Sequence, residues 1–201
     1  MRAPNRNTPD FILEKVAPVF NQKGYVATSL TDITNATGLT KGAVYCNFEN
    51  KEELAKKAFI KNAEQVLLPL GKLIRAENNS PSKLKAITNY YRHFKYNLTL
   101  NGGCPILNTC IDAKNNNDEL FIMAKAAMNN ILESIEKVLA NGIRFRQIKP
   151  DTNAKTFSHM MYAAIEGAVF MSMVNDNNEY LKSVADYLDQ LIDSIAIEEM
   201  K

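Results

Sequence analysis

The chain has 201 residues, 46% of them apolar and 23% charged, with only 8 Gly and 7 Pro. That supplies a real hydrophobic core and excludes collagen-like and Pro/Gly-rich low-complexity classes. The formal net charge is only +2, yet residues 1–150 hold 21 Lys and Arg against 13 Asp and Glu, while residues 151–201 hold 3 against 9. A basic front points to a polyanionic partner, unless the charges are simply scattered over a solvated surface.

No apolar run reaches the length of a membrane span, and the opening MRAPNRNTPD lacks the apolar stretch of a signal peptide. Cys46, Cys104 and Cys110 are too few for a disulfide framework and fit a reducing compartment, so a cytoplasmic location is expected.

Strictly alternating β-branched runs are absent, and apolar residues recur at spacings of three and four, which predicts an all-α fold. Thr8-Pro9 opens a first helix through Ile12, Val16, Val19 and Phe20 that Gly24 stops. Two short helices follow, Thr31 to Thr37 and Lys41 to Phe48, joined by Gly38-Leu39 and the cap Thr40. Asn50-Lys51-Glu52-Glu53 has the form of a capping box and opens a long helix that Pro69 should kink or end. Ser80-Pro81 opens the next, and Pro105 starts a short one. Longer helices are expected over about 118–141, 152–175 and 178–197.

In the second short helix, Val44 and Phe48 face inward with Ile33 and Leu39. The opposite side presents Gly42 and Cys46, flanked by Lys41, Ala43, Tyr45 and Asn47. Small residues permit close approach to a duplex, Lys41, Thr40 and Tyr45 can donate to phosphates, and Asn47 can reach a base edge. Gly42 costs a packing helix about 1 kcal/mol against Ala. Lys51 adds a cation beside a helix N-terminus that itself favours phosphate. Taken alone, these residues also suit a helical hairpin inside a bundle.

Residues 11–54, FILEKVAPVFNQKGYVATSLTDITNATGLTKGAVYCNFENKEEL, resemble the DNA-binding domain of the tetracycline-repressor (TetR) family. The resemblance is carried by Phe20, Lys23-Gly24-Tyr25, Thr28-Ser29, Asp32-Ile33, Gly38-Leu39-Thr40-Lys41-Gly42, Val44-Tyr45, Asn47-Phe48 and Lys51-Glu52-Glu53-Leu54. It departs from the family at Thr34 and Thr37, where alanines are more frequent, and at Cys46, where an aromatic residue or His is common. The resemblance implies about nine helices, with a helix-turn-helix domain over 1–50 and an effector-binding and dimerisation domain over 51–201. It implies a ligand-responsive regulator, most simply a repressor released from a near-palindromic double-stranded DNA operator by a small-molecule or thiol-reactive effector. DNA contacts then map to Thr28, Ser29, Thr40, Lys41, Gly42, Ala43, Tyr45, Cys46, Asn47 and Lys51. Arg2 and Arg6 form either an arm into the flanking groove or a solvated tail.

One recognition helix covers too little DNA for useful specificity, so a homodimer is expected. Its interface is assigned to Phe157, Met161, Ala164, Ala168 and Met171, and to Leu181, Val184, Leu188, Leu191 and Ile195. Residues 160–174 are apolar almost all round, broken by Glu166, and such a helix must be covered on every side. For the effector pocket, Tyr90, Tyr91, Phe94, Tyr96 and Leu98 supply an aromatic wall and Phe121, Met123 and Met128 an adaptable one, though such stripes also build plain core.

Cys104, ahead of Pro105, is the expected N-cap of the short helix, a position that lowers a thiol's pKa and makes it a candidate redox sensor. Gly103-Cys104 before a short apolar helix is similar to a TetR-family subgroup that includes electrophile-responsive and ordinary regulators. A small buried packing residue is the alternative. His93 and His159 have no partner at ligand spacing, so neither metal nor cofactor is expected. No nucleophile–base pair, paired-carboxylate motif or phosphate loop suggests an enzyme. The alternative to a regulator is a helical protein-binding scaffold without DNA affinity.

Overall fold

The computed structural model describes residues 8–94 and 102–197, which form nine helices and no strand. The helices are α1 (Pro9–Ala27), α2 (Leu30–Thr37), α3 (Lys41–Tyr45), α4 (Lys51–Ala76), α5 (Ser80–Arg92), α6 (Pro105–Ala113), α7 (Asp118–Arg144), α8 (Ala154–Val174) and α9 (Glu179–Ile195). They fall into two compact units, a front unit of Met1–Gln65 with Leu100–Ala126 and a back unit of Val66–Thr99 with Ala127–Lys201. The dividing lines lie inside α4 and α7, so α6 and the first turns of both long helices group with α1–α3. The sequence-based division into 1–50 and 51–201 follows the helix-turn-helix boundary instead.

In the front unit Thr8 caps α1, its hydroxyl accepting from Phe11 N at 3.4 Å, and Pro9 fills the first helical position. Gly24 interrupts α1 rather than stopping it. Its φ of 79° breaks the helix, and one further turn runs to Ala27. The break exposes the amides of Tyr25 and Val26, and the Asp112 carboxylate of α6 accepts from both, at 2.6 and 3.4 Å. A Cβ at residue 24 would stand 2.7 Å from Asp112 Oδ1, so the turn excludes any larger residue twice over. One turn earlier the buried Asn21 amide donates to Gly103 O at 3.1 Å, and Asn108 donates to Asn21 O at 3.2 Å.

Ser29 and Asp32 form a reciprocal capping box on α2, and Gly38, at φ 68°, closes it. Thr40 then caps α3 through Ala43 N at 3.2 Å. Ile12, Val16, Phe20, Ile33, Val44 and Phe48 are buried together in this unit's core. Full burial of each aliphatic or aromatic side chain contributes about 1.5–3 kcal/mol. Asn50 caps α4 by accepting from Glu53 N at 2.8 Å, while the Glu53 carboxylate takes Glu49 N at 2.6 Å instead of closing a capping box. Pro69 does not end α4, which continues to Ala76. The proline is exposed, and the missing amide leaves only the Gln65 carbonyl without its helical donor.

In the back unit Asn79, rather than Ser80, caps α5 by accepting from Ser82 N at 2.8 Å; Ser80 N donates to Gln147 Oε1 at 2.9 Å. Helix α9 packs on α5 and α8 through Leu181, Ala185, Leu188 and Ile192. Arg92 binds Asp186 and Asp189 at 2.9 and 2.7 Å, and Asp189 also accepts the Thr88 hydroxyl. Lys149 N donates to Ile195 O and Ile197 N to Gln147 O around a single bridge, Ile148 to Ala196, which ties the loop after α7 to the end of α9. No helix among the described residues is long and apolar enough to cross a membrane.

Hydrogen bonds to a charged acceptor contribute about 1.5–3 kcal/mol, so Asp112→Ala is expected to lower the unfolding free energy by about that amount. Gly24→Ala is expected to cost at least as much, and urea denaturation followed by circular dichroism measures both. A loss below about 0.5 kcal/mol for Asp112→Ala would show that the turn stands without the carboxylate, and the same small loss for Gly24→Ala would show that the turn accepts a Cβ.

Candidate nucleic-acid interface and ligand cavity

Turn chemistry in the front unit positions the short helix that the sequence singles out. With Val44 and Phe48 buried, Lys41, Gly42 and Cys46 are exposed and Ala43, Tyr45 and Asn47 half-buried on the outer side of α3. A Cβ added to Gly42 would meet nothing within 4 Å, so this glycine is an open notch in the surface rather than a packing contact. Thr40 is exposed beside it, its oxygen engaged as the cap and its proton free to donate outward.

Of the ten residues expected to touch DNA, nine reach the surface at least in part and one does not. Thr28 is fully buried; its hydroxyl and its amide both donate to Gly24 O, at 2.6 and 3.3 Å, so its side chain serves the broken turn of α1 instead. Ser29 is exposed, with its amide and hydroxyl held by Asp32. Asn47 turns its amide nitrogen back onto Ala43 O at 3.0 Å and Cys46 Sγ at 3.2 Å, closing the end of α3, which leaves only its carbonyl oxygen for a base. This return after Tyr45 also explains why the helix is shorter than the Lys41 to Phe48 span expected from spacing.

Charge on this face is arranged around Tyr25. Lys51 Nζ lies 4.7 Å from the Tyr25 ring centroid and donates to Val26 O at 3.5 Å; partial burial lowers its pKa, opposed by the negative charges of Asp112 and Asp32. Partial burial, helped by Tyr25, raises the pKa of Tyr45, keeping its phenol a proton donor at neutral pH. Lys23 binds Asp32 at 2.5 Å, and that hydrogen bond, followed by those from Ser29, holds the Asp32 carboxyl well below the usual carboxylate range. The acid on this face is thereby neutralised, while Lys41 makes no ion pair among the described residues. Arg2 and Arg6 lie outside the described residues.

The back unit contains a cavity of about 300 Å³. Leu67, Leu70, Gly71 and Ile74 of α4 line one side, Ile87 and Tyr91 of α5 and Tyr162 and Ile165 of α8 line others, and α7 completes it from Ala127 to Val138. Of the residues expected to form it, only Tyr91 is in the lining. Tyr90 donates its hydroxyl to Val66 O at 3.1 Å and sets its ring edge-on to Tyr91, while Phe94 stacks on Tyr91 at 5.2 Å, so these two buried rings back the wall. Met128 is half-buried outside the lining, Phe121 and Met123 belong to the front unit, and Tyr96 and Leu98 lie outside the described residues. The lining that spacing did not single out lies on α4 and α7, where 67, 70, 71 and 74, and 127, 131, 134, 135 and 138, form single stripes.

The expected dimer residues divide by side. Met161 and Ala168 of α8 and Leu181 and Leu188 of α9 are buried inside the chain, where α9 packs on α5 and α8. Phe157, Ala164, Val184, Leu191 and Ile195 are half-buried and Met171 is exposed. The outward strip of α8 lies one position away, at Met160, Ala163, Gly167, Phe170 and Val174, with Phe170 60% and Val174 67% exposed; Tyr187 of α9 is 60% exposed. An added Cβ at Gly167 meets nothing within 4 Å, so the strip is open. Cys104 occupies the N-cap of α6 but is buried, and its side chain makes no capping hydrogen bond.

Comparison with known proteins agrees with these elements. The model for bacterial regulatory proteins of the tetR family matches residues 12–58, and that for the tetracyclin repressor-like C-terminal domain matches residues 80–188. A TetR-family transcriptional regulator from Cytophaga hutchinsonii is 36% identical, with a TM-score of 0.87 over 99% of this chain and 100% of that one. A TetR transcriptional regulator from Chloroflexus aurantiacus J-10-FL is 30% identical, with a TM-score of 0.89 over 98% of each. The regulator FadR from Bacillus subtilis, solved in complex with stearoyl-CoA, shares the fold at 20% identity, with a TM-score of 0.70 over 90% of this chain and 95% of that one. This chain therefore belongs to the TetR family of transcriptional regulators.

Proposed function

We propose that the protein is a dimeric, ligand-responsive repressor that holds its operator through α3 and releases it when a small molecule occupies the back unit. The observation that supports DNA binding most directly is the outer side of α3, open at Gly42 and bordered by Thr40, Lys41, Tyr45 and Lys51. Hydroxyls and ammonium groups in that arrangement bind phosphates, and the notch lets backbone approach the groove. Thr28 is left out of this surface and acts as a support.

The open strip of α8, with Ala163 and Gly167 at its centre, suits close approach of a second copy's helix in a four-helix interface. The cavity provides a place for an effector, and FadR is a case in which this fold is solved with a ligand bound. Differential binding to two conformations then weakens DNA affinity by a coupling of about 1–3 kcal/mol. Nothing favours the thiol-reactive reading at Cys104, whose side chain is buried.

Fluorescence anisotropy against the intergenic DNA upstream of the protein's own gene tests the repressor reading. Wild type is expected to bind tightly in the presence of nonspecific competitor, with affinity falling steeply as salt rises. Lys41→Ala is expected to weaken binding to all sequences and reduce the salt slope by about 1, without loss of helicity. Equal binding by wild type and variant would remove α3 from the interface.

Sedimentation equilibrium at micromolar concentration is expected to give a dimer for wild type and a monomer for Ala163→Glu combined with Phe170→Glu. Both positions are exposed in the single chain, so helicity should be retained. A dimer that persists in this variant would place the interface elsewhere.

A further inference from the structure

The cavity of the back unit carries an inference about its occupant, and this rests on reading that unit as the effector-binding part. None of the side chains lining it is ionised at neutral pH. Its polar groups are the phenols of Tyr91 and Tyr162 and the side chains of Asn130 and Ser134. Ser134 already donates to Asn130 O at 2.6 Å, leaving its oxygen to accept.

A charge brought into such a lining loses its hydration without gaining a counter-ion, whereas apolar surface gains on the order of 25 cal/mol per Å². One guanidinium lies nearby, with Arg75 Nη1 3.1 Å from the place a Cβ on Gly71 would occupy. Arg75 is exposed and is not part of the lining, so its charge stays in water. A volume of about 300 Å³ lies at the small end of the range for ligand pockets, about 300–1,000 Å³.

We infer that the cavity selects an uncharged, mainly apolar molecule of about this size, carrying one or two groups that hydrogen-bond to the phenols or to Asn130 and Ser134. The selection acts against charge as well as for hydrophobicity, since the lining offers an ion no counter-charge.

Isothermal titration of the full-length protein with 1-decanol below its solubility limit, and with decanoate and decyltrimethylammonium below their micellar concentrations, tests this. The alcohol is expected to bind at least about tenfold more tightly than either ion. Its binding should be lost in Ala127→Phe and in Ser134→Phe, two variants that fill the cavity from α7 and are each checked for helicity. If one fails to fold, the other decides. Decanoate binding as tightly as the alcohol, with that affinity lost in Arg75→Ala, would overturn the inference in favour of an amphipathic anion. Unchanged alcohol binding in a folded, filled variant would overturn it by placing the ligand elsewhere. Alcohol that binds as expected yet leaves DNA affinity untouched would support the inference while removing the effector reading it rests on.

Discussion

The front unit depends on one broken turn. Helix α1 must leave the α conformation at residue 24, where φ is positive, and only then do Tyr25 and Val26 turn their amides outward. Buried or half-buried amides cannot remain unpaired, and the partner comes from 87 residues further along the chain, as the Asp112 carboxylate of α6. Thr28 closes the other side by returning two donors to Gly24 O. The entry into α2, and therefore the direction in which α3 presents its outer side, follows from this junction. Lys51 hangs from it too, with its ammonium 4.7 Å from the centre of the Tyr25 ring.

The back unit is organised by an excess of apolar surface. Helix α8 carries more of it than α5 and α9 can cover, which leaves Met160, Phe170 and Val174 at the outside. Inside, the same shortage of polar groups produces a cavity whose walls are mainly aliphatic and phenolic, with Asn130 and Ser134 the other polar side chains. Cover for the outside and an occupant for the inside are two responses to one compositional fact: this part of the chain has more hydrocarbon than it can bury alone.

Most of the helices were legible from the sequence because their ends are marked by local chemistry. Thr8-Pro9, Gly38, Thr40 and Asn50 each act within a few residues, and the structure shows each at a helix end. The outer side of α3 was legible for the same reason, since Val44 and Phe48 fix which side is inward. What failed was everything that depended on a distant partner. Thr28 reads as a surface residue beside Ser29 until Gly24 is known to break α1. Asn47 reads as offering its whole amide outward until the nitrogen folds onto Ala43 O. An apolar helix such as α8 has no polar stripe to say which side meets its own chain, so its buried and open sides were exchanged by about one position. The aromatic residues of α5 were obvious by size, but size does not distinguish a wall from its backing. Aliphatic stripes on α4 and α7 look like any other core until helices stand around an empty volume.

The five residues of α3 divide their labour sharply. Val44 holds the helix to the core, while Lys41 and Gly42 are exposed and contribute little to it. Under the proposed function, a replacement at either of these two alters what a duplex meets and leaves the buried contacts as they were. On that reading, stability and target preference are written on separate residues of one short helix, and duplicated copies of such a gene can acquire new binding sites without first passing through an unstable protein.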